Sequence, residues 1–171
     1  NEHWSRRWDG SDHEIIQEQH YSHEDDLNDI QFLCKNVFSD KRYITIDEKP
    51  VFMVYRTELF PDIKETARIW REEAKKFGFK DLYLVRVEHF VANLNPATIG
   101  FDAAMEFAPD LRCLGDFEEV IDDYQLTYAN ASYKEIITRM IDKHFDYKAF
   151  RCVFPSWDNS ARKYEQLYKD L

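Results

Sequence analysis

Short apolar runs alternate with longer amphipathic stretches along most of this chain, and that alternation limits its fold more than any other feature. Val51-Phe52-Met53-Val54-Tyr55 is apolar on both faces, as a strand buried on both sides of a sheet is. Leu82 to Val87, Phe101 to Phe107 and Phe150 to Phe154 repeat the pattern, and Tyr43 to Ile46 is a shorter run before a turn at Asp47-Glu48-Lys49. Between the runs, Ile63, Ala67, Trp70, Ala74 and Phe77 form one helical stripe, opened by Asp62 and closed at Gly78. Ser22 opens a helix carrying Leu27, Ile30, Cys34 and Val37. Ser132 and Glu135 form a capping box ahead of Ile136, Ile137, Met140 and Ile141. Residues 1–21 read as loop, and Ala161 to Leu171 reads as a last helical segment.

Strands that alternate with helices imply parallel strands joined by crossover helices, hence an α/β fold. Each apolar run ends in polar or aromatic groups: Tyr55-Arg56, Glu88-His89, Glu106 and Trp157-Asp158. In α/β barrels the active site gathers at the C-terminal ends of the strands. A doubly wound sheet also binds there, but with a glycine-rich first turn for a nucleotide, and this chain has no such turn. Glu106 is expected at the C-terminal end of a strand, facing the same cleft as Tyr55. With no repeat and no linker rich in Pro, Gly or Ser, residues 1–171 read as a single domain.

Composition narrows the function classes. The net charge of -10 argues against a nucleic-acid partner, because a negative surface repels phosphate backbones. No apolar run approaches the ~20 residues of a membrane helix, and the first residues do not read as a signal peptide. Three widely spaced cysteines, Cys34, Cys113 and Cys152, suit reduced thiols in a cytoplasmic protein. Histidine and cysteine spacing matches no zinc site: His20 and His23 lack the Glu of H-E-x-x-H, so no metal and no cofactor is called for. Aromatic residues make up 16% of the chain, which suits a cleft where ring faces stack on the C–H faces of a sugar, although most Phe rings belong in the core.

The densest cluster of candidate groups is Asn1-Glu2-His3-Trp4-Ser5-Arg6-Arg7-Trp8-Asp9-Gly10. Its two tryptophans offer stacking surfaces, and exposed tryptophan without a partner is costly. Arg7 and Asp9 offer hydrogen bonds to hydroxyls. Glu88 and Glu106 end neighbouring apolar runs, and two carboxylates near a sugar are the minimal equipment of glycosidic-bond chemistry. A carboxylate at a strand end serves equally as an arginine partner or a helix cap, so structural pairing stands beside catalysis. Pro155-Ser156-Trp157-Asp158-Asn159 follows a strand and reads either as a cleft lining or as a turn capping the next helix.

The first block resembles the N-E-x-W-[TS]-R-R-W-D-G signature of the WbsX-like family, named for glycosyltransferases of surface-polysaccharide loci and also described as glycoside hydrolase family 99-like. Further blocks are similar in order and spacing: Lys49-Pro50-Val51-Phe52-Met53-Val54-Tyr55-Arg56, Gly100-Phe101-Asp102-Ala103-Ala104-Met105-Glu106-Phe107, and Phe154-Pro155-Ser156-Trp157-Asp158-Asn159-Ser160-Ala161-Arg162. The resemblance implies a (β/α)₈ TIM-type barrel acting on glycans, of which this chain covers the central part. Family members carry earlier strands before the first block and a later N-E-W-x-E-G block, and in the related hydrolases that late block supplies the main catalytic carboxylates. Nothing in residues 161–171 matches it. The candidate set is therefore Glu2 and Glu106 as catalytic carboxylates, with Trp4, Arg7, Trp8, Asp9, Tyr55, Arg56, Glu88, Trp157 and Asp158 as sugar contacts. Two readings stand: glycosyl transfer or glycosidic cleavage by the intact protein in lipopolysaccharide or O-antigen metabolism, and a non-catalytic glycan-binding or scaffolding domain. An isolated arc of barrel would leave open sheet edges, so self-association is expected of residues 1–171 alone.

Overall fold

A computed structural model describes residues 3–6, 11–89, 91–115, 117–121 and 127–158. In chain order its elements are β1 (Trp4–Arg6), β2 (Ser11–Gln17), α1 (His23–Asn36), β3 (Thr45–Ile46), β4 (Lys49–Val54), α2 (Ile63–Lys76), β5 (Tyr83–Glu88), β6 (Ala103–Glu106), β7 (Phe117–Ile121), β8 (Thr127–Ala131), α3 (Tyr133–Ile141) and β9 (Ala149–Phe150). They fall into two compact units. Gln19–Glu106 and Phe145–Arg151 belong to the first, and His3–Glu18, Phe107–His144 and the residues from Cys152 on to the second.

The first unit is built on a curled five-stranded sheet, half of a barrel, in the order β3-β4-β5-β6-β9. β3 and β4 form a hairpin, its turn made by Asp47 and Glu48, both at positive φ. β4, β5, β6 and β9 run parallel, and their order follows the sequence without reversing. An open doubly wound sheet reverses its order at a switch point; a singly wound barrel does not.

β5 is buried on both faces, which is why the run Leu82 to Val85 is apolar without alternation. Leu82 and Leu84 face the helices, packing with Ile30 and Cys34 of α1 and Ala67, Trp70 and Ala74 of α2. Tyr83 and Val85 face the other way, with Ala103 of β6 and with Val51, Met105 and Phe150 beside them. Two apolar clusters thus cover opposite faces of one sheet.

α2 is the crossover between β4 and β5, and its ends are set locally. Asp62 accepts a hydrogen bond from the Glu65 N–H (3.0 Å), a cap worth about 1 kcal/mol. At the other end the Phe79 N–H reaches the Ala74 carbonyl (3.2 Å) and the Gly78 N–H the Lys75 carbonyl (3.0 Å). That double bond pattern needs a left-handed residue between, and Gly78 supplies it at φ +89°. From α2, Arg71 spreads its guanidinium over Asp81 (3.0 Å), the Leu82 carbonyl (2.7 Å), the Gly100 carbonyl (3.0 Å) and Asp102 (2.7 Å). Asp102 in turn accepts from the Leu84 N–H (2.7 Å). This junction ties the helix to the amino-terminal side of β5 and β6 and leaves their carboxyl ends to other groups.

The second unit departs from the sequence expectations. Residues 1–21 were expected as loop, but β1 and β2 form an antiparallel hairpin with irregular register. The side chains of His13 to Gln17 are exposed, so no apolar alternation marks the strand. β7 and β8 form a second hairpin, pairing Phe117 with Ala131 and Ile121 with Thr127, where no strand was expected. α3 starts at the expected Ser132 cap and buries Ile136 and Met140 against Cys113 and Phe154. The expected last strand, Phe150 to Phe154, shortens to Ala149–Phe150 because Phe154 packs in this other unit. The expected helix at Ala161 to Leu171 lies outside the described residues.

Candidate functional site at the carboxyl ends of the first unit

The carboxyl ends of β4, β5, β6 and β9 bring together four of the candidate residues. Glu88 and Glu106 are direct register partners on adjacent parallel strands. Partners in parallel strands share a face, and alternate residues along a strand share it too. Arg86 and Glu88 therefore continue the face of Leu82 and Leu84, and Glu106 lies on the same side. All three are buried, at 1%, 1% and 2% exposure.

Charge can be buried like this only when it is matched and hydrogen-bonded. Glu106 Oε2 accepts from Arg151 Nε at 3.1 Å, just after β9. Glu88 Oε2 accepts from the Tyr147 hydroxyl at 2.5 Å, just before β9, and lies 3.7 Å from the Arg86 guanidinium. Glu88 Oε1 accepts from the Asn93 N–H at 3.4 Å. Arg86 donates to the carbonyls of Val91 and Leu94. Two carboxylates thus sit among two guanidiniums, each carboxylate within reach of one.

Tyr55 and His89 directly follow β4 and β5 at the same end of the sheet. Their rings stack at 5.8 Å between centroids and 19° between planes. Tyr55 and Glu106 accordingly share one end of the sheet, as expected. Arg56 turns to Glu58 in an ion pair of 2.6 Å. His89 was not among the candidates, although its place one residue past Glu88, in step with Val85 and Val87, was readable.

Residues 1–168 match the family model described as Glycosyltransferase WbsX. The chain belongs to the WbsX glycosyltransferase family. Its similar proteins include the uncharacterized protein WxcX of two strains of Xanthomonas campestris pv. campestris, each 32% identical over 169 residues. That alignment covers 95% of this chain and 24% of WxcX, so the chain spans about a quarter of the length of these relatives. No solved structure matches the chain.

The other residues named from the WbsX resemblance fall elsewhere. Trp4 lies in β1 of the second unit, opposite Gln17, and is 65% exposed. Trp157, in the same unit, is 58% exposed, and Asp158 beside it is exposed too. Glu2, Arg7, Trp8 and Asp9 lie outside the described residues. Among the described residues no group of His, Cys, Asp and Glu could hold a metal ion, and no helix is long and apolar enough to cross a membrane.

Proposed function

We propose that this chain forms part of a (β/α)₈ barrel that makes or cleaves a glycosidic bond in a bacterial surface polysaccharide, with Tyr55 and His89 as a stacking platform for a sugar ring. The observation that carries the reading is the stacked ring pair at the carboxyl ends of β4 and β5, in a chain of the WbsX glycosyltransferase family. Aromatic faces at strand carboxyl ends are where a barrel presents its ligand contacts. The exposed rings of Trp4 and Trp157 support sugar contact from the second unit in their own right. We assign Glu88 and Glu106 to shaping the strand ends, because both are buried and held in hydrogen bonds. The three free thiols fit a cytoplasmic setting.

A second reading, a non-catalytic glycan-binding domain, is favoured by the engagement of both carboxylates with protein donors. Incubating the full-length protein with nucleotide sugars, and separately with α-linked oligosaccharides, distinguishes the two. Turnover of either supports the enzyme. Glycan binding without turnover supports the binding domain, and neither binding nor turnover overturns both.

A further inference from the structure

Arg86 and Glu88 share one face of β5, and both reach the loop that His89 begins. Arg86 donates to the carbonyls of Val91 and Leu94, and the Glu88 carboxylate accepts the Asn93 N–H. Asn93 stands at φ +56°, a left-handed conformation that asparagine tolerates better than most residues. Its N–H meets Glu88 in that conformation. From another segment, Tyr147 closes on the second oxygen of the same carboxylate at 2.5 Å. Glu88 is itself held in the β5–β6 ladder. The span from Glu88 to Val91 is therefore fixed at both ends, and His89 lies within it.

We propose that Arg86, Glu88 and Tyr147 are positioning residues that suspend the β5–β6 loop and so hold the His89 ring in its stack on Tyr55. The proposal rests on the reading of Tyr55 and His89 as a sugar platform and says what keeps that platform formed before a sugar arrives. A platform held by buried side chains loses little freedom on binding, which is how preorganisation raises affinity. Arg86 and Glu88 are fully buried; Arg86 spends its hydrogen bonds on loop backbone, and Glu88 divides its own between the Asn93 N–H and the Tyr147 hydroxyl, as a suspension requires and as a solvated substrate contact would not.

The test reads the ring pair directly. In full-length protein labelled with ¹³C at histidine Cε1, the His89 signal is identified by its loss in His89→Gln. The shift that Tyr55 imposes on it is identified by its movement in Tyr55→Leu. Tyr147→Phe and Glu88→Gln are expected to move the His89 signal toward the Tyr55→Leu position, with a cooperative thermal transition retained. Arg151→Met, which removes the hydrogen bond to Glu106 Oε2 instead, is expected to leave it in place. Tyr147→Phe removes a single oxygen and carries the test if Glu88→Gln fails to fold. A His89 signal unmoved by these substitutions overturns the proposal. If instead the signal moves as expected but Tyr55→Leu leaves α-linked oligosaccharide binding unchanged, the positioning stands and the sugar platform falls.

Discussion

Glu88 and Glu106 occupy paired positions at the ends of β5 and β6, and each is held by a residue flanking the two-residue strand β9. Tyr147 holds the first and Arg151 the second. A strand too short to contribute much ladder energy therefore docks through its flanks. The buried charge of its neighbours makes that docking specific, because a misplaced β9 would leave two carboxylates without these donors.

The unequal burial of the two arginines gives a first expectation. Arg86 is 1% exposed, whereas the Arg151 side chain is 41% exposed. Removing the buried partner leaves an uncompensated charge, so Arg86→Met should destabilise the protein by about 3–5 kcal/mol. Arg151→Met should cost less, about 1–3 kcal/mol: the lost donor is partly exposed, but its removal takes a hydrogen bond from the buried Glu106 carboxylate. Urea denaturation of both variants measures the difference, and equal losses would show that burial does not decide the cost here.

Acid stability should depend on Asp110. Burial pushes its carboxyl up, but hydrogen bonds from Arg112 (2.8 Å) and Lys143 (2.7 Å) outweigh this and hold it well below the usual carboxylate range. A depressed folded-state pKa contributes stability above the unfolded value, near 3.8, and that contribution is lost as pH falls through the folded value. Asp110→Asn should therefore destabilise the protein at neutral pH, with a gap from wild type that narrows below about pH 4. Thermal melts across that range check the sign; a gap that widens in acid contradicts it.

The thiols should react in an order set by burial. Cys34 is buried in the α1–α2 core, and desolvation with the nearby Glu73 charge pushes its thiol up to about 11. Cys113 is buried as well, while Cys152 is half-buried. Ellman's reagent on native protein should label Cys152 first, and Cys152→Ser should remove that fast phase. Fast labelling in Cys152→Ser would show that one of the buried sites opens.

The central sheet was legible because its strands carry apolar runs, Val51 to Val54 in β4 and Leu82 to Val85 at β5, the latter buried on both faces. The helices were legible from Ser22, Asp62 and Ser132, whose side chains do cap them. The two hairpins of the second unit were not, since a strand such as β2, exposed from His13 to Gln17, carries no periodic signal. At the site, the strand-end residues were legible as a set, but their partners were not. Glu88 and His89 are neighbours in sequence, yet one joins the ion-paired cluster and the other the ring stack. Tyr147 and the loop carbonyls that Arg86 holds were invisible because such partners come from backbone and from distant segments.

Tyr55 and Arg56, adjacent and both read as sugar contacts, should now separate in function. The Tyr55 ring is stacked on His89 at the strand ends, whereas the Arg56 guanidinium is engaged by Glu58 at 2.6 Å. A ring contact of this kind is worth about 0.5–1.5 kcal/mol beyond its buried area, which corresponds to roughly a 2- to 10-fold change in affinity. Tyr55→Leu should therefore weaken oligosaccharide binding by about that factor or more, and Tyr55→Phe, which keeps the ring, should retain most of it. Arg56→Met should change binding less than Tyr55→Leu, because its charge already has a partner in the protein. Isothermal titration with α-linked oligosaccharides and full-length protein compares the three. A larger loss in Arg56→Met than in Tyr55→Leu would mean that the sugar breaks the Arg56–Glu58 pair, and that the guanidinium rather than the ring stack is the principal contact at this end of the sheet.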